Sequence, residues 1–139
     1  MNISLDSSTS LAEIFRLLGQ PVRIQILLII ARDEACVCHI EAVLGVRQAT
    51  ISQNLMVLRN AGLVSTSRVG RNVFYSLANP ELLEAIYKLA VIAGIDQDEL
   101  ARLAARPVQN CPCPNCNPDL DAELTCQKIK AGKILSKSE

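Results

Sequence analysis

Gln48-Ala49-Thr50-Ile51-Ser52-Gln53-Asn54-Leu55-Met56-Val57-Leu58-Arg59 is the stretch whose reading decides the fold. Ile51, Leu55 and Leu58 stand at i, i+4 and i+7, which puts three apolar side chains on one stripe of a helix. Gln48, Thr50, Ser52, Gln53 and Arg59 fall on the other faces. Upstream, Cys36–Leu44 reads as a short helix, and Gly45-Val46-Arg47 reads as a tight turn. Two helices joined by about three residues, the second polar and free of acids, form a helix-turn-helix arrangement. Downstream, Ala61-Gly62-Leu63-Val64 ends the helix. Leu63–Leu77 then reads as two strands around Val69-Gly70-Arg71-Asn72, a hairpin with a basic tip, or wing.

Charge points the same way. Residues 42–80 hold no Asp or Glu, and they carry Arg47, Arg59, Arg68 and Arg71. All 14 acids of the 139-residue chain lie elsewhere, although the formal net charge is +0. Phosphates repel carboxylates, and base edges pair with Arg, Asn, Gln, Ser and Thr. Arg47, Gln48, Thr50, Ser52, Gln53, Asn54 and Arg59 of the helix are therefore candidate contacts to double-stranded DNA, with Arg68, Arg71 and Asn72 of the wing. The alternative is an ordinary solvated helix followed by a hairpin. The zero net charge argues against a generic nucleic-acid coat protein, so any contact must come from the local patch.

The flanks supply the core. Leu11, Ile14, Phe15 and Leu18 have helical spacing, with Ser10 placed to cap and Gly19 to stop. Pro21 opens the next helix, and Val22 to Ile30 is too apolar all round for a surface helix, so it is the central buried one. Glu81–Ala93 after Pro80 has a wider apolar face than a small core covers. It is either extra core or a dimer interface shared with Leu11–Leu18. Asp96 and Glu99 form a capping box that opens a last helix to about Ala105. The expected fold class is mainly α (α+β), a winged helix-turn-helix with dimerising terminal helices over residues 1–106, followed by a Cys/Pro-rich tail over 107–139. The longest apolar run, Ile26–Ala31, falls short of the ~20 residues of a membrane span, and Met1–Ser10 lacks a signal pattern. A cytoplasmic protein with no membrane partner is expected. One His, no paired acidic site with metal spacing and no Gly-rich phosphate loop leave little to build enzyme chemistry from, and no organic cofactor is expected.

Six cysteines in a cytoplasmic chain point to metal ligands or reactive thiols rather than a disulfide frame. Cys36-Val37-Cys38-His39 opens the third helix. Residues two apart on a helix point about 200° from each other, so Cys36 and Cys38 can share an ion only if Cys36 sits where the helix begins or the first turn unwinds. Ligation there distorts the helix just before the recognition helix. His39 could join from the same side as Cys36. Otherwise the two cysteines are small buried fillers and His39 is a surface residue. The second group is Cys111-Pro112-Cys113-Pro114-Asn115-Cys116. Pro107, Pro112, Pro114 and Pro118 exclude regular helix, and Cys111, Cys113 and Cys116 form a pre-bent chelate for a thiophilic ion. A redox pair, or incidental cysteines in a tail, are the alternatives. Residues 119–139 read as loosely held, and Cys126 is isolated.

Taken together, residues 10–93 resemble the ArsR/SmtB family of metal-sensing winged-helix repressors. The resemblance rests on Leu18-Gly19-Gln20-Pro21-Val22-Arg23-Ile24-Gln25-Ile26-Leu27, on Cys36-Val37-Cys38-His39-Ile40, and on the helix quoted above with Leu58-Arg59-Asn60-Ala61-Gly62-Leu63-Val64. The wing Arg68-x-Gly70-Arg71-x-x-Phe74-Tyr75-x-Leu77 completes it. The resemblance implies a homodimer that binds operator DNA without metal and releases it when metal binds. It matches Cys36 and Cys38 to a family pair that binds arsenite or antimonite in some members and cadmium or lead in others, so As(III)/Sb(III) or Cd(II)/Pb(II) is the implied inducer. His39 replaces the acidic residue usual after that pair, and Gln53-Asn54 stands where a His pair is common. Glu81–Ala93 has no His for the family's zinc site, and the N-terminal Cys of the cadmium/lead site is missing. Cys111, Cys113 and Cys116 could supply the missing thiols. A thiol-redox or electrophile-sensing repressor on the same fold and a metal-buffering protein are the rival readings.

Overall fold

The computed structural model describes residues 5–104 together with Cys111 and Cys116. The elements run α1 (Leu5–Leu18), α2 (Pro21–Ile30), α3 (Val37–Leu44), α4 (Gln48–Asn60), β1 (Val64–Val69), β2 (Asn72–Leu77), α5 (Glu81–Ile92) and α6 (Gln97–Ala101), closed by a 3-10 turn at Arg102–Ala104. The centre is α2. Ile26, Leu27, Leu28, Ile29 and Ile30 are all buried, because the helix touches α1, α3, α4, β2 and the 3-10 turn. Side chains of this kind contribute about 1.5–3 kcal/mol each when fully buried.

Ile51, Leu55 and Leu58 pin α4 onto that centre, with exposures of 0–1%. Gly45 ends α3 at φ 67, the left-handed conformation in which Gly avoids the Cβ penalty, and its N–H donates to the carbonyl of Glu41 at 2.8 Å. The turn to α4 is therefore tight and fixed. Arg23 of α2 ties three helices together. Its Nε donates to Asn54 Oδ1 at 2.9 Å, and Nη1 donates to the Leu17 carbonyl at 3.2 Å.

Strands β1 and β2 pair antiparallel from Val64↔Leu77 to Val69↔Asn72. Gly70 and Arg71 form the two-residue loop, and Gly70 at φ 61 takes the positive φ such hairpins require. The connection from α2 to α3 adds a short third rung. Ala35 N–H donates to the Tyr75 carbonyl at 3.0 Å, and Tyr75 N–H donates to the Ala35 carbonyl at 2.8 Å. The residue before Cys36 is thereby stitched to the wing.

Two boundaries differ from the sequence reading. Helix α1 begins at Leu5, so Ser10 lies inside it rather than capping it. Asp6 in the first turn suits the positive end of the helix dipole, and residues 7–10 are exposed, where Ser or Thr costs only about 0.5 kcal/mol against Ala. Helix α6 stops at Ala101 and tightens into the 3-10 turn. Asp96 caps it by accepting from the N–H of Asp98 at 2.9 Å, so the cap is made one residue earlier than a capping box with Glu99 would place it. On α5, Ile86 and Ala90 are buried, while Leu89, Val91 and Ile92 are exposed. On α1, Leu11, Ile14 and Phe15 are exposed as well. Among the described residues no helix is long and apolar enough to cross a membrane.

Candidate metal centre and nucleic-acid interface

Cys36 takes an extended conformation, φ −86 and ψ 166, as the N-cap of α3. The helix has not yet begun at Cys36, so the 200° separation that would hold Cys36 and Cys38 apart inside a helix does not apply. Both thiols are buried, and they pack with Phe74 of β2 and with Cys111 and Cys116 in one cluster. Cys113 lies outside the described residues, as do Cys126 and residues 119–139.

His39 is buried rather than on the surface, at 0% exposure. Its Nδ1 lies 3.1 Å from Cys111 Sγ and 3.4 Å from Cys116 Sγ. The three ligand atoms of His39, Cys111 and Cys116 all fall within 4.8 Å of one another. This is the arrangement sequence reasoning under-read. The signal was the i, i+3 spacing of Cys36 and His39, which turns the imidazole to the side of the helix start. A tail folding back 72 positions along the chain leaves no local pattern.

The thiol cluster touches the elements expected to meet DNA. Phe74 brings in the wing. Gln48, the first residue of α4, has its Nε2 3.9 Å from Cys38 Sγ, within reach of a sulfur acceptor, and donates to Glu41 Oε1 at 3.5 Å. Ser67 of β1 donates to Glu34 Oε2 at 3.1 Å, just before the Cys36 cap.

The candidate DNA contacts divide by exposure. Arg47, Ser52, Gln53, Arg59, Arg68 and Arg71 are exposed, and Thr50 is half-buried. Gln48 is half-buried and engaged as above. Asn54 accepts from Arg23, and its Nδ2 donates to the Thr50 carbonyl at 2.8 Å. Asn72 is buried at the end of the hairpin, opposite Val69.

Comparison with known proteins agrees with this architecture. Residues 20–66 match the family described as "Bacterial regulatory protein, arsR family". The chain is 39% identical over 88 residues to the transcriptional repressor SmtB homolog of Synechocystis, a match spanning 63% of this chain and 67% of that protein. Among solved structures, Rv0081 of M. tuberculosis superposes with a TM-score of 0.61 at 29% identity, covering 73% of this chain and 100% of that one. A homodimeric winged helix-turn-helix DNA-binding domain from Mycobacterium bovis, described as a possible ArsR-family transcriptional regulator, superposes at 0.58 with 27% identity, covering 68% and 90%. These relatives are transcriptional regulators rather than enzymes. From the buried α2, the tight turn into α4 and the two-stranded wing to the shared sequence, every line meets in one place: the chain belongs to the ArsR/SmtB family of winged-helix transcriptional regulators.

Proposed function

We propose that the protein represses transcription by binding operator DNA as a homodimer, and that it lets go when cysteine thiolates around the start of α3 take up a thiophilic metal ion. The observation that carries this reading is the position of the thiol cluster, packed on Phe74 of the wing and beside Gln48 at the start of α4. Repressor function is supported by the SmtB-type relatives, and DNA binding as a homodimer by the M. bovis domain.

In the metal-free dimer the α4 helices enter successive major grooves ~34 Å apart. Ser52, Gln53 and Thr50 are placed to read bases or sugars, and Arg47, Arg59, Arg68 and Arg71 to hold phosphates. Asn54 and Asn72 support the helix and the hairpin from within. The exposed rows Leu11, Ile14 and Phe15 of α1 and Leu89 and Ile92 of α5 fit a second copy, since wide apolar patches mark contacts.

Cys36 and Cys38, with thiols from the tail, are the residues that would hold the ion; arsenite or antimonite and cadmium or lead are the candidates. Drawing Cys36 toward Cys38 pulls on Ala35, whose two hydrogen bonds to Tyr75 carry the movement into β2. Engaging Cys38 removes the sulfur that faces Gln48. A typical allosteric coupling of about 1–3 kcal/mol weakens operator binding about 5–150-fold.

The test is a release titration with arsenite and cadmium at fixed salt. The Cys36→Ser/Cys38→Ser double variant is expected to bind operator and keep it when metal is added. Release from that variant refutes the α3 thiols as the sensor. Release by oxidant alone, reversed by dithiothreitol, replaces metal with thiol oxidation as the signal. Metal uptake without operator affinity points to a buffering protein instead.

A further inference from the structure

The one histidine of the chain sits fully buried among thiols. We propose that His39, Cys111 and Cys116 form a nitrogen-sulfur metal site, selective for zinc or its heavier congener cadmium over arsenite. The proposal rests on the metal-sensing reading above and narrows the class of ion.

Donor chemistry carries the selection. Imidazole suits zinc, copper, iron and nickel, whereas thiolate suits copper(I), zinc and iron–sulfur clusters, so a mixed set favours zinc-class ions. Arsenite takes three thiolates and has no use for an imidazole. Distances agree. With zinc–nitrogen and zinc–sulfur bonds of about 2.05 and 2.3 Å, a tetrahedron sets nitrogen and sulfur about 3.6 Å apart. His39 Nδ1 already stands 3.1 and 3.4 Å from the two sulfurs, so each need open by only a few tenths of an ångström. Burial helps too, because all three residues are withdrawn from water and competing solvent ligands. On binding, Cys111 and Cys116 each give a proton to solvent, and His39 offers the Nδ1 lone pair with its proton on Nε2. Cys38 of the same cluster, or a water, completes four-coordination. The site also fastens the tail to α3, one residue beyond Cys38.

Because the chain has a single His, its imidazole resonances are unambiguous. The experiment is an NMR titration of the full chain with zinc, then with arsenite, read on the His39 Nδ1 signal, alongside zinc affinity by chelator competition. Zinc is expected to shift Nδ1 stoichiometrically and arsenite to leave it in place. His39→Gln and Cys111→Ser/Cys116→Ser are each expected to lose about 100-fold or more in zinc affinity, at least the upper end of what second-shell losses cost. A Nδ1 signal unmoved by one equivalent of zinc overturns the site without requiring any variant to fold. Zinc that releases operator while Nδ1 stays put also overturns it and leaves the regulatory reading intact. Zinc that shifts Nδ1 while the operator stays bound upholds the site and overturns any part for it in operator release.

Discussion

Replacing Arg71 by Ala removes the exposed charge at the tip of the wing, beside Gly70. Each protomer exposes Arg47, Arg59, Arg68 and Arg71 within its acid-free stretch, so a dimer offers eight cations, four from each copy. If each neutralises one phosphate, log K should fall with log salt at a slope of about −0.9 × 8, or about −7. Arg71→Ala leaves six, and the slope should ease to about −5. Between 50 and 200 mM salt the wild type should therefore lose about four decades of affinity and the variant about three. Fluorescence anisotropy of a labelled operator fragment, titrated at several salt concentrations, reads both slopes. An unchanged slope refutes a phosphate contact by Arg71, and a wild-type slope near −2 refutes the whole acid-free stretch as the DNA-facing surface.

Leu58→Ala should destabilise the domain by about 2–5 kcal/mol, because Leu58 is 0% exposed in the core under α4; denaturant unfolding monitored by circular dichroism checks it. Gly45→Ala should cost about 1–2 kcal/mol by forcing a side chain into φ 67, with no clash added, since an added Cβ meets nothing within 4 Å; thermal unfolding against wild type reads it. Phe15→Asp should shift the proposed homodimer toward monomer by placing a charge in the exposed α1 row, and sedimentation at several protein concentrations measures that shift.

The helix-turn-helix was legible because α4 is held by three apolar side chains at regular spacing, and because Gly45 and Gly70 mark turns that need positive φ. The buried α2 was legible from its unbroken apolar run. The start of α1 was not, since residues 7–10 carry no apolar periodicity and only Asp6 marks the first turn. The site was legible only in parts. Each cysteine group announced itself by local spacing, yet their meeting depends on a long-range fold-back that no local pattern encodes. The burial of His39 follows from that same meeting. The inward engagement of Asn54 was hidden as well, because its partner Arg23 lies 31 positions away on another helix.

Thermodynamic linkage offers the most direct test of a thiol cluster coupled to the DNA-reading surface. If metal weakens operator binding by a given factor, operator must weaken metal binding by the same factor. Metal affinity of the protein, measured with and without saturating operator, is expected to differ by about 5–150-fold and to match the loss of operator affinity on metal binding. Equal metal affinity in both states contradicts the coupling.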